Sequence, residues 1–325
     1  MLERLRRKAQ KLVWLEFQSL ERAPNLSLEI SPEELELELI KVPTPLFLGR
    51  YSKEDIRAKL ERNQILPALR SYGFEPLILE VESDGLIEHR IFIHTGQKSY
   101  DRIVMELRLR EGVFKVRDTI AHIKPGLAES IKSDTIPMLW IDWLLLQNPS
   151  KKFNPVKPRL PEQKYPGLGI LYLVVPLMGE FARETHKQAV LDIPEHFHGA
   201  FFYSKWMNFF NPEMEGKTRA ILRDLAGYSL ATISWGVLLD CLYNISSDRF
   251  EAWKPGEQIY PISDGLEKYF SSDAYHQVSG QAFEQNRYRL DFSRMKEKSK
   301  FLDPEEKATV DSIIKGVENA GDKKP

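Results

Sequence analysis

Several things are scarce in this sequence, and each scarcity narrows the function. One cysteine, Cys241, occurs in 325 residues, so neither an internal disulfide nor a multi-cysteine zinc site can form. A reducing, cytoplasmic setting fits. Neither charge is in excess: 46 Lys and Arg against 47 Asp and Glu leave a formal net charge of −1. That speaks against a globally basic nucleic-acid binder. No apolar run reaches the ~18 residues of a transmembrane helix. The nearest, Ile170–Gly179 and Ile233–Leu239, are too short. The Gly-x-Ser-x-Gly of serine hydrolases and the Gly-x-x-x-x-Gly-Lys-Ser/Thr of P-loop nucleotidases are both missing. No internal repeat or low-complexity tract interrupts the chain.

What is there suffices for a core. Hydrophobic residues make up 42% of the chain and charged residues 29%, the balance of an ordinary globular protein of about two domains. The basic start, with Arg4, Arg6, Arg7, Lys8 and Lys11, places Leu5, Leu12, Leu15 and Leu20 on one side of an amphipathic helix. It reads as a packing helix or as one that meets a membrane surface or partner. Leu35, Leu37 and Leu39 then alternate with glutamates, the period of a half-buried strand. Ser52, with Asp55 three positions on, predicts the cap of a helix that ends at Gly73.

Three strand-like segments follow, Pro76–Glu82, Leu86–His94 and Arg102–Leu109, with Asp84-Gly85 as a tight turn. They predict an antiparallel meander. Residues 111–136 read as an insertion with a short helix. Pro137–Gln147 is a near-continuous apolar run, which suits a central strand buried on both faces. Asn148–Pro166 is proline-rich loop. Gly169–His186 has helical spacing, Ala189–Ile193 is a short buried strand, and His198–Phe210 reads as an aromatic helix stopped by Asn211-Pro212. Beyond it the spacing predicts a helix pair over 216–245, a Pro/Gly loop over 253–265 with Trp253 as a packing or lid residue, helices over 264–290, and a surface helix near 304–317.

The stretch that bears most on chemistry is Gln163-Lys164-Tyr165-Pro166-Gly167-Leu168-Gly169, between a buried strand and a helix. Glycines there let a ligand approach the backbone, and free N–H groups at a helix start hold phosphate. The same residues also serve a plain strand-to-helix turn. A second cluster is Pro194-Glu195-His196-Phe197-His198. Two histidines at i and i+2 on extended chain face one way. With Asp192 or Glu195 they could hold zinc or iron, making the chain a metal-dependent enzyme. His196 could instead be a general base, and capping or packing accounts for both histidines equally well.

Strand, glycine turn, helix, strand, then a helix carrying Tyr203-Ser204-Lys205: this order resembles the GNAT superfamily of N-acetyltransferases. That family carries Arg/Gln-x-x-Gly-x-Gly/Ala at the pyrophosphate of acetyl-CoA and a tyrosine about 40 residues later. Here Lys164, Gly167 and Gly169 occupy the first pattern, and Tyr203 follows Lys164 by 39 positions. Lys164 replaces the Arg or Gln, and Trp206-Met207-Asn208-Phe209 replaces the family's Gly-Phe. The resemblance covers residues 35–212. It implies an α+β fold, a GNAT-like mixed sheet flanked by helices. A helix over 1–30 would precede a core over 31–212, with a helical extension over 213–300 and a charged tail over 301–325. It implies acyl transfer from acetyl-CoA or another acyl-CoA to the amine of a small molecule or peptide, with no metal favoured. Gln163, Lys164, Gly167, Leu168 and Gly169 would bind the acyl-CoA. Tyr203 would be the acid that helps the thiolate leave, and Asp142 or His196 the base. Packing of Tyr203 beside Phe201 and Phe202, or Asp142 as a solvent-facing or structural carboxylate, accounts for those residues too. So does a non-catalytic interaction protein that keeps the scaffold.

Overall fold

The computed structural model describes residues 46–84, 88–116, 129–154 and 157–321, all within the unit Pro45–Pro325. The N-terminal helix, the strand at Leu35–Leu39, the turn residue Gly85 and the end beyond 321 lie outside these residues. So does most of the short helix expected within 111–136. The described chain is α+β: a mixed seven-stranded sheet flanked by helices, and a second sheet of three short strands.

Helix α1 (Lys53–Arg62) starts where its cap residue dictates. Ser52 Oγ accepts from the Asp55 N–H at 3.1 Å, and the Asp55 carboxylate accepts from the Ser52 N–H at 2.9 Å. The helix does not run on to Gly73. Gln64 takes left-handed backbone at φ 62° and divides α1 from α2 (Ile65–Ser71). Strands β1 (Leu77–Ser83), β2 (Glu88–Thr95) and β3 (Ile103–Lys115) form the antiparallel meander, with β3 running six residues past the Leu109 at which its pattern ends. The apolar run is β4 (Thr135–Leu146), antiparallel to β3 and parallel to β5 (Ala189–Asp192). Helix α3 (Leu171–Glu184) makes the crossover. Ile136, Met138, Leu139 and Ile141 are buried on the two faces of β4, as expected, but Asp142 and Trp143 are exposed.

The chain after β5 departs further from its local pattern. Helix α4 (Phe197–Tyr203) stops seven residues short of Phe210, and β6 (Asn208–Phe209) follows. What ends the helix is pairing: β6 bonds to β9 (Gln258–Pro261), a strand that arises inside the expected Pro/Gly loop and inserts between β5 and β6. The large sheet therefore extends past residue 212. Asn211-Pro212 starts a helix rather than only stopping one. The Asn211 side chain accepts from the Glu213 N–H at 2.9 Å, and Pro212 opens α5 (Pro212–Asp224). The helix pair expected over 216–245 is α5 and α6 (Leu230–Leu238). Its last residues are instead β7 (Leu242–Asn244), which joins β8 (Arg249–Phe250) and β10 (Tyr288–Leu290).

Each face of the large sheet carries its own core. Leu139, Ile141 and Val190 pack under Ile56, Leu60, Leu66, Val174 and Phe181 of α1–α3. Met138, Leu191 and Ile259 pack under Leu266, Tyr269 and Phe270 of α7 (Asp264–Phe270) and Tyr275 of α8 (Asp273–Gln285). Each such side chain, once buried, contributes ~1.5–3 kcal/mol. The charged end is not merely a surface tail. After α9 (Phe292–Lys298), α10 (Pro304–Gly321) buries Val310, Ile313 and Ile314 against Trp235 and Met295.

Candidate functional site

The parallel pairing of β4 with β5 lasts four residues, from Met138–Ala189 to Ile141–Asp192. There β5 ends, and Ile193-Pro194 leads the chain away; Pro194 has no N–H to continue a ladder. Strand β4 runs on to Leu146. Just beyond, the glycine turn folds against it: the Leu168 N–H donates to the Leu146 carbonyl at 3.3 Å, and the Asn148 N–H to the Pro166 carbonyl at 2.7 Å. Residues 142–145 thus have β3 on one edge and, among the described residues, no paired strand on the other. This window is an unpaired edge of β4.

Asp142 stands at its rim. Arg108 pairs with Trp143 and Leu109 with Ile141, so Asp142 has no opposite residue and forms a bulge. A bulge re-aims side chains, which is why neighbours Asp142 and Trp143 are both exposed. Asp142 shares the Trp140 face of the sheet. Arg110 lies 4.2 Å over the Trp140 ring and donates from Nε to Asp142 Oδ1 at 2.8 Å. The Asp142 side chain is only partly open, 32% exposed, and that partial desolvation raises its carboxyl above the ordinary range while Arg110 opposes the shift.

Asp192 leaves β5 on the other face, the one that Val190 shares with α3. It is 8% exposed, and its Oδ2 has no hydrogen-bond partner among the described residues. Burial, then the charges of Asp142 and Glu195, push its carboxyl up to about 7, against a backbone hydrogen bond from Ile193. Tyr203, at the end of α4, belongs to the same core cluster as Val190 and is equally buried. Burial first and the charge of Asp192 second drive its hydroxyl well above the usual tyrosine value. The phenol is therefore within electrostatic reach of Asp192. Phe201 and Phe202 pack on each other instead, 5.9 Å between ring centres.

The glycine turn keeps part of its backbone open. Gly169 has φ 74°, which only glycine adopts freely. No acceptor among the described residues takes the N–H groups of Gly167, Gly169, Ile170 or Leu171. Leu168 serves the fold: its side chain is buried, its N–H is bound to Leu146, and its carbonyl accepts from the Tyr72 hydroxyl at 2.6 Å. Gln163 also serves the loop, with Oε1 accepting from the Leu160 N–H at 3.2 Å and its carbonyl from Arg159 Nε at 2.5 Å. Lys164 is exposed and pairs with Asp101 at 2.6 Å. A surface pair of this kind is worth ~0–1 kcal/mol and exchanges readily.

The two histidines do share one side, though a helix start and not a strand places them there. His196 is the cap residue of α4, and its ring stacks on His198 at 5.3 Å and 7°. His196 Nε2 lies 3.3 Å from Glu162 Oε2, in a geometry that makes no hydrogen bond. Burial, then His196, push His198 down to about 4, so it is neutral at neutral pH. Among the described residues no group of three or more His, Cys, Asp or Glu side chains gathers as metal ligands. The Asp192, Glu195, His196 and His198 set is therefore not assembled as one.

The remaining features lie elsewhere. Trp253 packs edge-on against Phe197 at 5.4 Å. Burial raises the Cys241 thiol to about 11, away from nucleophile chemistry. Hollows of about 490 Å³ beside Arg57, Arg70 and Glu75 and about 330 Å³ beside Arg50, Lys59 and Arg62 touch none of the window residues. No helix among the described residues is long and apolar enough to cross a membrane.

The residue that sequence reasoning undervalued is Asp192, weighed there only as a metal ligand. The available signal was an acid closing a wholly apolar strand, Ala189-Val190-Leu191-Asp192, ahead of Ile-Pro. No protein-family model matches the chain, and no curated protein or solved structure matches it.

Proposed function

We propose that the chain is an acyl-CoA-dependent N-acyltransferase on a GNAT-like sheet, acting in the cytoplasm on the amine of a small molecule or peptide. The observation that carries this reading is the four-residue window on β4, closed at one end by the glycine turn and at the other by Asp192. A pantetheine arm carries amide groups, and an unpaired strand edge binds amides as it would bind an added strand. The order of elements supports the same reading: helix pair, antiparallel strands, buried strand, glycine turn, helix, short parallel strand, tyrosine-bearing helix.

In this reading the N–H groups of Gly167, Gly169 and the first turn of α3 hold the pyrophosphate, and Lys164 leaves Asp101 for a phosphate oxygen. The acyl-CoA supplies a thioester whose carbonyl accepts the amine. Asp192 is the base: a carboxyl that titrates near neutrality is poised to take a proton from an ammonium. Tyr203 keeps its proton at neutral pH, so it offers the sulfur a hydrogen bond as negative charge develops there. Asp142, anchored by Arg110 on the opposite face, adds its charge to the groups that keep Asp192 protonated.

One observation favours a second reading. Tyr203 is 8% exposed, which also suits a non-catalytic binding protein on the same scaffold. Two measurements separate the readings. Acetyl-CoA at 100 times its Kd should stabilise the full chain by ~2.7 kcal/mol, and a panel of primary amines should release free thiol from it. Stabilisation without thiol release gives the binding protein; neither response overturns both.

A further inference from the structure

Gln258 is wholly buried on β9 and stands directly opposite Asp192 of β5. In an antiparallel pair, opposed side chains leave the same face, with Cβ atoms ~4.5–5.5 Å apart. The amide is oriented by α4: Nε2 donates to the Ala200 carbonyl at 3.2 Å. A carbonyl only accepts, so the nitrogen belongs there, and Oε1 is left as an acceptor elsewhere. Among the described residues Gln258 Oε1 has no donor, and neither has Asp192 Oδ2. Two unpartnered buried acceptors on opposed residues are costly, and a proton shared between them removes the cost. Protonated, the Asp192 carboxyl is itself a donor that can satisfy the Gln258 oxygen. Asp142 from β4 and Glu195 from the loop after β5 disfavour a negative charge there and the Ile193 N–H favours one, while the neutral Tyr203 hydroxyl from α4 lies within electrostatic reach.

We infer that Gln258 is a positioning residue: its Oε1 accepts the carboxyl proton of Asp192 and so sets the pH at which Asp192 gives that proton up. The catalytic consequence rests on the acyl-transfer reading; the shared proton does not. With the proton in place the carboxyl donates to the amide oxygen. Once it is lost, two oxygens of negative character face each other, and Asp192 becomes ready to take a proton from an incoming ammonium.

The test is a ¹³C NMR titration of the aspartate carboxyl carbons in the full chain, with Asp192→Asn assigning the signal. The wild-type signal should titrate near neutrality. Gln258→Met keeps length and removes the acceptor, so Asp192 should titrate up to about one pH unit lower, a ~tenfold loss of proton affinity. Gln258→Glu should split the titration into two steps that straddle the wild-type value. An Asp192 that titrates at the same pH in wild type and Gln258→Met overturns the inference. If neither variant folds, the infrared carboxyl stretch of wild type minus Asp192→Asn decides it. A hydrogen-bonded acid supports the shared proton, and a free acid or a carboxylate at pH 6 sinks it. A shifted titration with no thiol release in any amine assay keeps the shared proton and discards acyl transfer.

Discussion

Asp142 lies one step along β4 past Ile141, the residue that pairs with Asp192, and its charge bears on the buried Asp192 carboxyl from the opposite face of the sheet. The window thus has one carboxyl on each side, one tethered by a guanidinium and the other with no cation acting on it among the described residues.

That relationship makes stability and activity respond to pH in opposite directions. The folded-state value of Asp192, about 7, stands above its ordinary 3.8. Its stabilising contribution is fully present below the lower value and is lost as pH rises through the upper one. Asp192→Asn should therefore gain stability over wild type as pH rises from 4 to 8, by up to ~4 kcal/mol. Chemical denaturation at each pH reads this directly. Amine acylation by wild type should instead rise with pH through ~7, and the variant should lose ~10²–10⁴-fold. An unchanged rate in Asp192→Asn removes it as the base.

Tyr203→Phe deletes only a hydroxyl from a packed site, so the fold should survive. Turnover should drop ~10²–10⁴-fold while acetyl-CoA affinity holds. A loss confined to affinity would assign the hydroxyl to binding instead.

The two glycines of the turn should separate binding from folding. A Cβ at Gly167 would meet only the Leu146 carbonyl oxygen, at an ordinary 3.7 Å. Gly167→Val should keep the melting temperature and weaken acetyl-CoA binding by calorimetry. Gly169→Val forces a β-branched side chain to φ 74° and should cost at least ~1–2 kcal/mol of stability. Equal loss of stability in both would mean that the turn is purely structural.

Helix α5 crosses α8 so closely that a Cβ on Gly216 would stand 2.1 Å from the Ser279 carbonyl oxygen. Even Gly216→Ala should push the helices apart, with a fall of ~1–3 kcal/mol. A melting curve that does not move would show the contact to be loose.

Much of the architecture was legible in the sequence because local chemistry dictates it. The Ser52–Asp55 cap, the apolar runs of β4 and β5 and the Asn211-Pro212 signal are rules of backbone satisfaction and burial that act within a few residues. The glycine turn was legible for the same reason. Tertiary pairing decided the rest. Strand β9 lies in a Pro/Gly stretch with no strand pattern and exists because β5 and β6 need a partner between them. That same pairing shortens α4 and places Gln258 against Asp192. The bulge that exposes Asp142 comes from register with β3. The unusual proton affinity of Asp192 comes from burial by segments distant in the chain, because desolvation is set by everything that packs around a group and by no spacing along the sequence.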